Sequence, residues 1–252
     1  MKKSIPAIVL ILLFFVSNAQ DQETFSGLVK YNIVTKVDIK IEGDASQFAD
    51  MLPKEMKSSK ELLFNSKASL YRKSETSSEM NSMMHSSDAH NIQIHMEEPE
   101  NIVFTDLEKK TTIEQKEFMT RIFLIDGTLP DQSWKLSGNQ KMILDYPCQE
   151  AILEGEDGVV RAWFTPVIPV SAGPSVYSGL PGLILEINLK NGDQVILAES
   201  VELKPIEDNE LKKPVKGKKV TKEEFDKIVA EKVEEMGGEA GEGKVMMIKI
   251  ER

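Results

Sequence analysis

The three histidines of this 252-residue chain are its entire imidazole complement. All three, His85, His90 and His95, fall between Met80 and Met96, in the same stretch as Met83 and Met84. Thioether sulfur favours Cu(I) and imidazole suits copper or zinc, so these five side chains are the candidate metal ligands, with copper ahead of zinc. Their spacing sets a condition. Residues five apart stand about 140° apart around a helix and on opposite faces of a strand, so only a folded loop brings all three histidines onto one ion. The competing assignment is structural: Met80, Met83 and Met84 as a helical stripe, and Ile92, Ile94 and Met96 as one face of a strand.

Hydrolysis by a serine or cysteine nucleophile has to draw its base from the same histidines, in a polar segment poorly suited to holding catalytic geometry. The sequence contains no glycine-rich phosphate loop, no HExxH and no CxxC. Its 41 acidic residues single out no carboxylate pair. Cys148 is the only cysteine, which excludes an intrachain disulfide. Tyr146, Ala151 and Ile152 flank it, and no histidine or lysine is close in sequence to lower its pKa. It reads as a small buried apolar side chain rather than a reactive thiol. No catalytic residue follows from the sequence.

The chain that positions these groups begins with a leader. Met1-Lys2-Lys3 is a positive n-region, Ile5 to Val16 an apolar h-region, and Ser17-Asn18-Ala19 offers small residues at the cleavage positions, so residues 1–19 read as a signal peptide cut before Gln20. The apolar run is short of the roughly 20 residues that span a membrane. No cysteine near the cut can take a lipid, so the product is expected in the periplasm or outside the cell and not as a lipoprotein. Losing Lys2 and Lys3 takes the net charge from −10 to −12. That surface repels phosphate backbones, and nucleic acid is excluded as a partner.

Residues 20–252 suit one domain with a single core. Alternation over Phe25–Glu42 predicts a first strand, and Asp44–Met56, with Phe48, Met51 and Leu52 at helical spacing behind an Asp44 cap, a short helix. Glu61–Lys73 reads as a hairpin turning at Asn65-Ser66-Lys67. A polar, Met/His-rich insertion over 74–99 interrupts the sheet. Strands follow over Asn101–Asp106, Met119–Ile125, Trp134–Ile152 and Val159–Phe164. Leu183–Ile187 and Gln194–Val201 form a hairpin through Asn191-Gly192. Lys204–Lys219 reads as a surface connection. Thr221 and Glu224 make a capping box, opening a helix with Phe225, Ile228, Val229, Lys232 and Met236 in one stripe. A flexible Gly/Glu segment, 237–243, precedes a last strand over Val245–Ile250. The expected class is mainly β (α+β): one antiparallel sheet, curled or a partial barrel, with one C-terminal helix and a short N-terminal helix.

A series of elements between Trp134 and Leu185 carries a resemblance. Trp134 is followed by Tyr146-Pro147-Cys148 with Ala151, Ala162-Trp163-Phe164-Thr165, Ile168-Pro169, Gly173-Pro174 and Tyr177. Gly179-Leu180-Pro181-Gly182-Leu183-Ile184 closes the series. In these elements the chain resembles the GLPGLI family of exported Bacteroidetes proteins. The resemblance implies export and a β-rich domain, and it implies no activity. Some members are similar in setting to envelope proteins associated with outer-membrane receptors. The signature reads as structural: Pro181 and Gly182 suit the two central positions of a type II turn leading into a buried strand, with Gly182 at positive φ. Trp163 and Tyr177 read as core or as pocket lining. The first functional expectation is a non-enzymatic envelope binding or accessory protein, its partner an outer-membrane transporter or another envelope protein, or a small apolar or peptidic ligand. Copper or zinc binding and hydrolysis are the alternatives.

Overall fold

The computed structural model describes residues 25–36, 54–74, 82–87, 90–96, 99–155, 158–235 and 248–251. The expected leader, segment 237–243 and most of the expected helix over Asp44–Met56 lie outside them. The strands are β1 (Gly27–Lys36), β2 (Glu55–Phe64), β3 (Ala68–Lys73), β4 (Ser82–Ser87), β5 (His90–Met96), β6 (Asn101–Asp106), β7 (Thr111–Phe118) and β8 (Arg121–Thr128). They continue with β9 (Lys135–Ile143), β10 (Tyr146–Gly155), β11 (Gly158–Thr165), β12 (Leu183–Leu189), β13 (Gln194–Leu203), β14 (Lys218–Val220) and, after helix α1 (Lys222–Glu235), β15 (Ile248–Glu251).

Twelve strands form one sheet in the order β14-β8-β7-β6-β3-β2-β1-β13-β12-β11-β10-β9, and β15-β5-β4 form a second. The large sheet is open, with β14 and β9 as its edges, rather than a partial barrel. It is antiparallel except where β14 runs parallel to β8. Among the described residues α1 is the single helix. Glu55 and Met56, expected at the end of an N-terminal helix, instead open β2 opposite Lys36 and Thr35. Here the ladder to β1 overrides local helical spacing. Met119 and Thr120, expected inside a strand, are the two-residue turn between β7 and β8, both at positive φ.

Register makes the two faces of the sheet different environments. Ala151, Ala162, Ile187, Ile196 and Ile33 line up across β10, β11, β12, β13 and β1, and every one is buried. One residue along, the row is Glu150, Trp163, Glu186, Leu197 and Asn32. Side chains alternate across a strand, so the first row faces the core and the second faces outward. The inner face is covered by the segment between β11 and β12, and near β8 by α1, whose Phe225 meets Phe123 edge-on at 5.3 Å. The expected capping box holds α1: Glu224 N–H donates to Thr221 Oγ1 and Thr221 N–H to Glu224 Oε2. Lys204–Lys219 is a surface connection with two anchors, since its Ile206 and Leu211 are buried against Leu63, Leu70 and Phe104 on the outer face.

At the centre of the inner face, Tyr31 is fully buried and its hydroxyl donates to the Ile184 carbonyl at 2.6 Å. Pairing between β12 and β13 begins only at Glu186 and Leu197, so Ile184 lies outside that ladder. Removing the hydroxyl strands a buried carbonyl. Tyr31→Phe is expected to lower stability by about 1–3 kcal/mol, read from the urea midpoint at constant slope. An unchanged midpoint would show that the bond contributes nothing.

Candidate functional site

The signature residues converge on the strap between β11 and β12, residues 166–182. Its Ile168, Val170, Ala172 and Leu180 are buried against the inner face. Strap carbonyls take the backbone N–H groups that β12 does not give to β13: Leu183 N–H donates to Ile168 O and Ile184 N–H to Ala172 O. Gly182 is buried, and a Cβ there would lie 2.1 Å from the Thr165 carbonyl oxygen, so only glycine lets the strap return against β11. This corrects the expected type II turn. Gly182 does not have positive φ; its N–H donates to Leu180 O across Pro181 in a three-residue turn, and the positive φ falls on Gly179 at 85°.

The remaining signature residues brace this strap. Gly173 packs so closely that a Cβ would meet Ile184 and the Tyr177 carbonyl at 2.8 Å. Pro174 is buried and starts a turn closed by the Tyr177 N–H. Trp134 donates from Nε1 to Ser178 O at 2.8 Å, with its ring 6.3 Å from that of Tyr177. Cys148, Leu180, Leu183 and Ile184 are buried, Tyr146 is half-buried, and Pro169 and Pro181 are exposed. Trp163 is half-buried against this core, on the side of the sheet that Cys148 shares with its cross-strand partner Lys141.

Around Trp163 the outer face carries a polar network that sequence reasoning missed. Lys141 Nζ lies 4.3 Å from the centroid of the Trp163 ring and 2.5 Å from Glu186 Oε2. Glu150, buried beside them, accepts from Ser137 Oγ at 2.6 Å, from Asn139 Nδ2 at 2.7 Å and from Arg161 Nη1 at 3.2 Å. Ser137 and Asn139 flank Gly138, whose φ is 84°, at an irregularity in the β9–β10 register. The one available signal was the alternation of β10 to β12, which sets Glu150, Trp163 and Glu186 on the non-core parity.

These environments decide protonation. The hydrogen bond from Ser137, followed by those from Asn139 and Arg161 and the guanidinium charge, outweighs burial and holds the Glu150 carboxyl below the usual carboxylate range. Burial pushes the Cys148 thiol up to about 11, so it is protonated at neutral pH, in keeping with a buried apolar role.

The expected metal ligands fall on β4 and β5. Register places His85 opposite Ile92, His90 opposite Ser87 and His95 opposite Ser82, with Met83 opposite Ile94 and Met84 opposite Gln93. No two histidines are cross-strand partners. On its other side β5 pairs with β15, where Lys249 stands opposite His95.

Residues 150–186, from Glu150 through Glu186, match a family described as a protein of unknown function (Porph_ging). The match overlaps the GLPGLI-like segment without confirming that label, and it attaches no activity. No curated protein matches the chain. Among solved structures, PNGF-II in a P21 space group is similar over 81% of this chain and 33% of its own, with TM-score 0.53 and 15% identity. PNGF-II in a C2 space group is similar over 81% and 32%, with TM-score 0.53 and 17% identity. The chain thus spans about a third of the length of these structures, and the likeness is one of fold.

Two outcomes follow from the protonation states. The Cys148 thiol is expected to be inert to a thiol-specific reagent in the folded protein at pH 7 and to react stoichiometrically once urea unfolds it; rapid labelling of the native protein contradicts its burial. Because the folded pKa of Glu150 is depressed, its contribution is present above the unfolded value of about 4.3 and is lost as pH falls through the lower folded value. Glu150→Gln is therefore expected to be less stable than the parent at pH 7, with the gap narrowing in urea melts near pH 3. A gap independent of pH would exclude the charge as its source.

Proposed function

We propose that this chain is an exported, non-enzymatic binding or accessory protein of the bacterial envelope, with the outer face of β9 to β13 as its contact surface. The observation that carries this reading is the division of labour within the signature. Most of its members are buried in the strap and core, while Trp163, half-buried against that core, sets its ring beside Lys141, with Glu186 and Arg161 on the same side of the sheet. Aromatic and arginine side chains with exposed apolar neighbours are the composition from which protein contact sites are made. Leu197, opposite Glu186, is 40% exposed and supplies such a neighbour. Export is supported by the leader and by the resemblance to an exported family. Against catalysis in the signature stands its one nucleophile of note, the Cys148 thiol, buried and protonated.

The test is to express the full chain in a Bacteroidetes host with a photo-crosslinking residue at position 197. The expected product has Gln20 as its N-terminus, is recovered from the exported fraction, and gives one saturable adduct that Trp163→Ala abolishes without changing the circular dichroism spectrum. Cytoplasmic retention with the leader intact overturns export, and an adduct indifferent to Trp163→Ala overturns the contact surface.

A further inference from the structure

The surface connection between β13 and β14 changes sign along its length. Its first half carries Glu207, Asp208 and Glu210, all engaged locally: Asp208 Oδ1 accepts from Asn65 Nδ2, Glu207 Oε2 from Asn209 Nδ2 and Glu210 Oε2 from the Glu207 N–H. From Leu211 to Val220 the only charged residues are Lys212, Lys213, Lys216, Lys218 and Lys219. These five ammonium groups stand together in a chain whose net charge is −10.

The lysine segment is pinned at both ends and turned outward between them. Leu211 and Val220 are buried, and Gly217, at φ 127°, lies so close to β8 that a Cβ would meet the Ile122 carbonyl oxygen at 2.9 Å. All five lysines are exposed, and Val215 in their midst is 83% exposed, the most of any large apolar side chain among the described residues. Lys213 lies 5.0 Å from the centroid of the Phe104 ring, with Asp106 in electrostatic reach. The other four make no ion pair among the described residues, whereas Lys222, Lys227 and Lys232 of α1 each meet an acid one turn on. Lys218 and Lys219 have a structural duty, since lysines on an edge strand deter pairing with a second chain. Lys212, Lys213 and Lys216 precede that strand and bracket Val215 instead.

We propose that the segment from Lys212 to Lys219 docks this edge of the sheet onto the surface of a bilayer containing anionic phospholipid. The ammonium groups lie at the level of the lipid phosphates, and Val215 enters the boundary between headgroups and acyl chains. Screening over about 8 Å at physiological salt makes such docking answer to the local cluster rather than to the net charge of the chain. Composition favours lipid over a macromolecular partner. Protein contact sites are enriched in aromatic residues and arginine and depleted in lysine, and single-stranded nucleic acid is held by aromatic stacking. Between Leu211 and Val220 there is neither an aromatic residue nor an arginine, and a phosphate backbone would leave Val215 in water. The proposal rests neither on export nor on the contact surface over β9 to β13.

Flotation of the full chain with vesicles of phosphatidylcholine, alone or mixed equally with phosphatidylglycerol, tests it. Two triple variants carry the same change of charge: Lys212→Gln/Lys216→Gln/Lys219→Gln in the segment, which spares the contact of Lys213 with Phe104, and Lys222→Gln/Lys227→Gln/Lys232→Gln in α1. The first is expected to weaken binding to the mixed vesicles about tenfold or more and the second to leave it unchanged, with salt diminishing the difference. The urea midpoint of each variant checks its folding. A polarity-sensitive fluorophore on Val215→Cys is expected to shift to the blue on the mixed vesicles only, and the same fluorophore on Ser200→Cys, on exposed β13 surface, is expected not to shift. No preference for the mixed vesicles, equal losses from the two triple variants, or no shift at position 215 would each overturn the proposal. Displacement by a DNA duplex at equal phosphate concentration would assign the lysines to nucleic acid and overturn it as well.

Discussion

The Tyr31 hydroxyl, donating to the Ile184 carbonyl in the middle of the inner face, resolves a problem that the twelve-stranded sheet creates for itself. The first residues of β12 lie outside the ladder to β13, so their buried backbone groups need other partners. Tyr31 supplies a donor from β1, and the strap supplies acceptors at Ile168 and Ala172. Register irregularities lie on both sides, at Lys30/Tyr31 and at Trp163/Phe164, and each locally re-aims its strand. Burial raises the Tyr31 hydroxyl pKa well above its ordinary value, with nearby Tyr71 adding to the effect, so the donor stays protonated.

Once the strap is docked, the rest of the signature has a physical reason. Gly182 and Gly173 are sites where a Cβ has no room, and Trp134 ties the chain before β9 to the far end of the strap. The same anchoring leaves the outer face of β10 to β12 free for polar side chains. There Glu150 satisfies Ser137 and Asn139 on either side of Gly138, stabilising an irregular edge strand instead of a flat one. Irregular edges resist pairing with a second chain, as does the lysine-bearing, three-residue β14 at the opposite edge.

Local chemistry made several elements legible. Asn65 Oδ1 accepts from the backbone N–H groups of Lys67 and Ala68, which is why a hairpin turn could be read there. The Thr221–Glu224 capping box formed for the same reason. Lys190, Asn191 and Gly192 all take positive φ between β12 and β13, as the Asn-Gly pair foretold. Where the deciding partner was distant, reading failed. Glu55 and Met56 looked helical until β1 was in place, and nothing adjacent to Met119 and Thr120 announces a turn with two non-glycine residues at positive φ. Gly182 was rightly singled out for the wrong reason, because steric exclusion by Thr165 is a contact between strands.

By itself, the sequence determined the mainly β class, the C-terminal helix, the main turns and the burial of Cys148, since each depends on alternation, capping or composition within a few residues. The tertiary structure alone decided that the sheet stays open, that the signature folds into a strap, and that Lys141, Glu150 and Glu186 gather around Trp163. The reason is register: which residues stand opposite one another is set by pairing between strands far apart in the chain, and no local pattern encodes that distance.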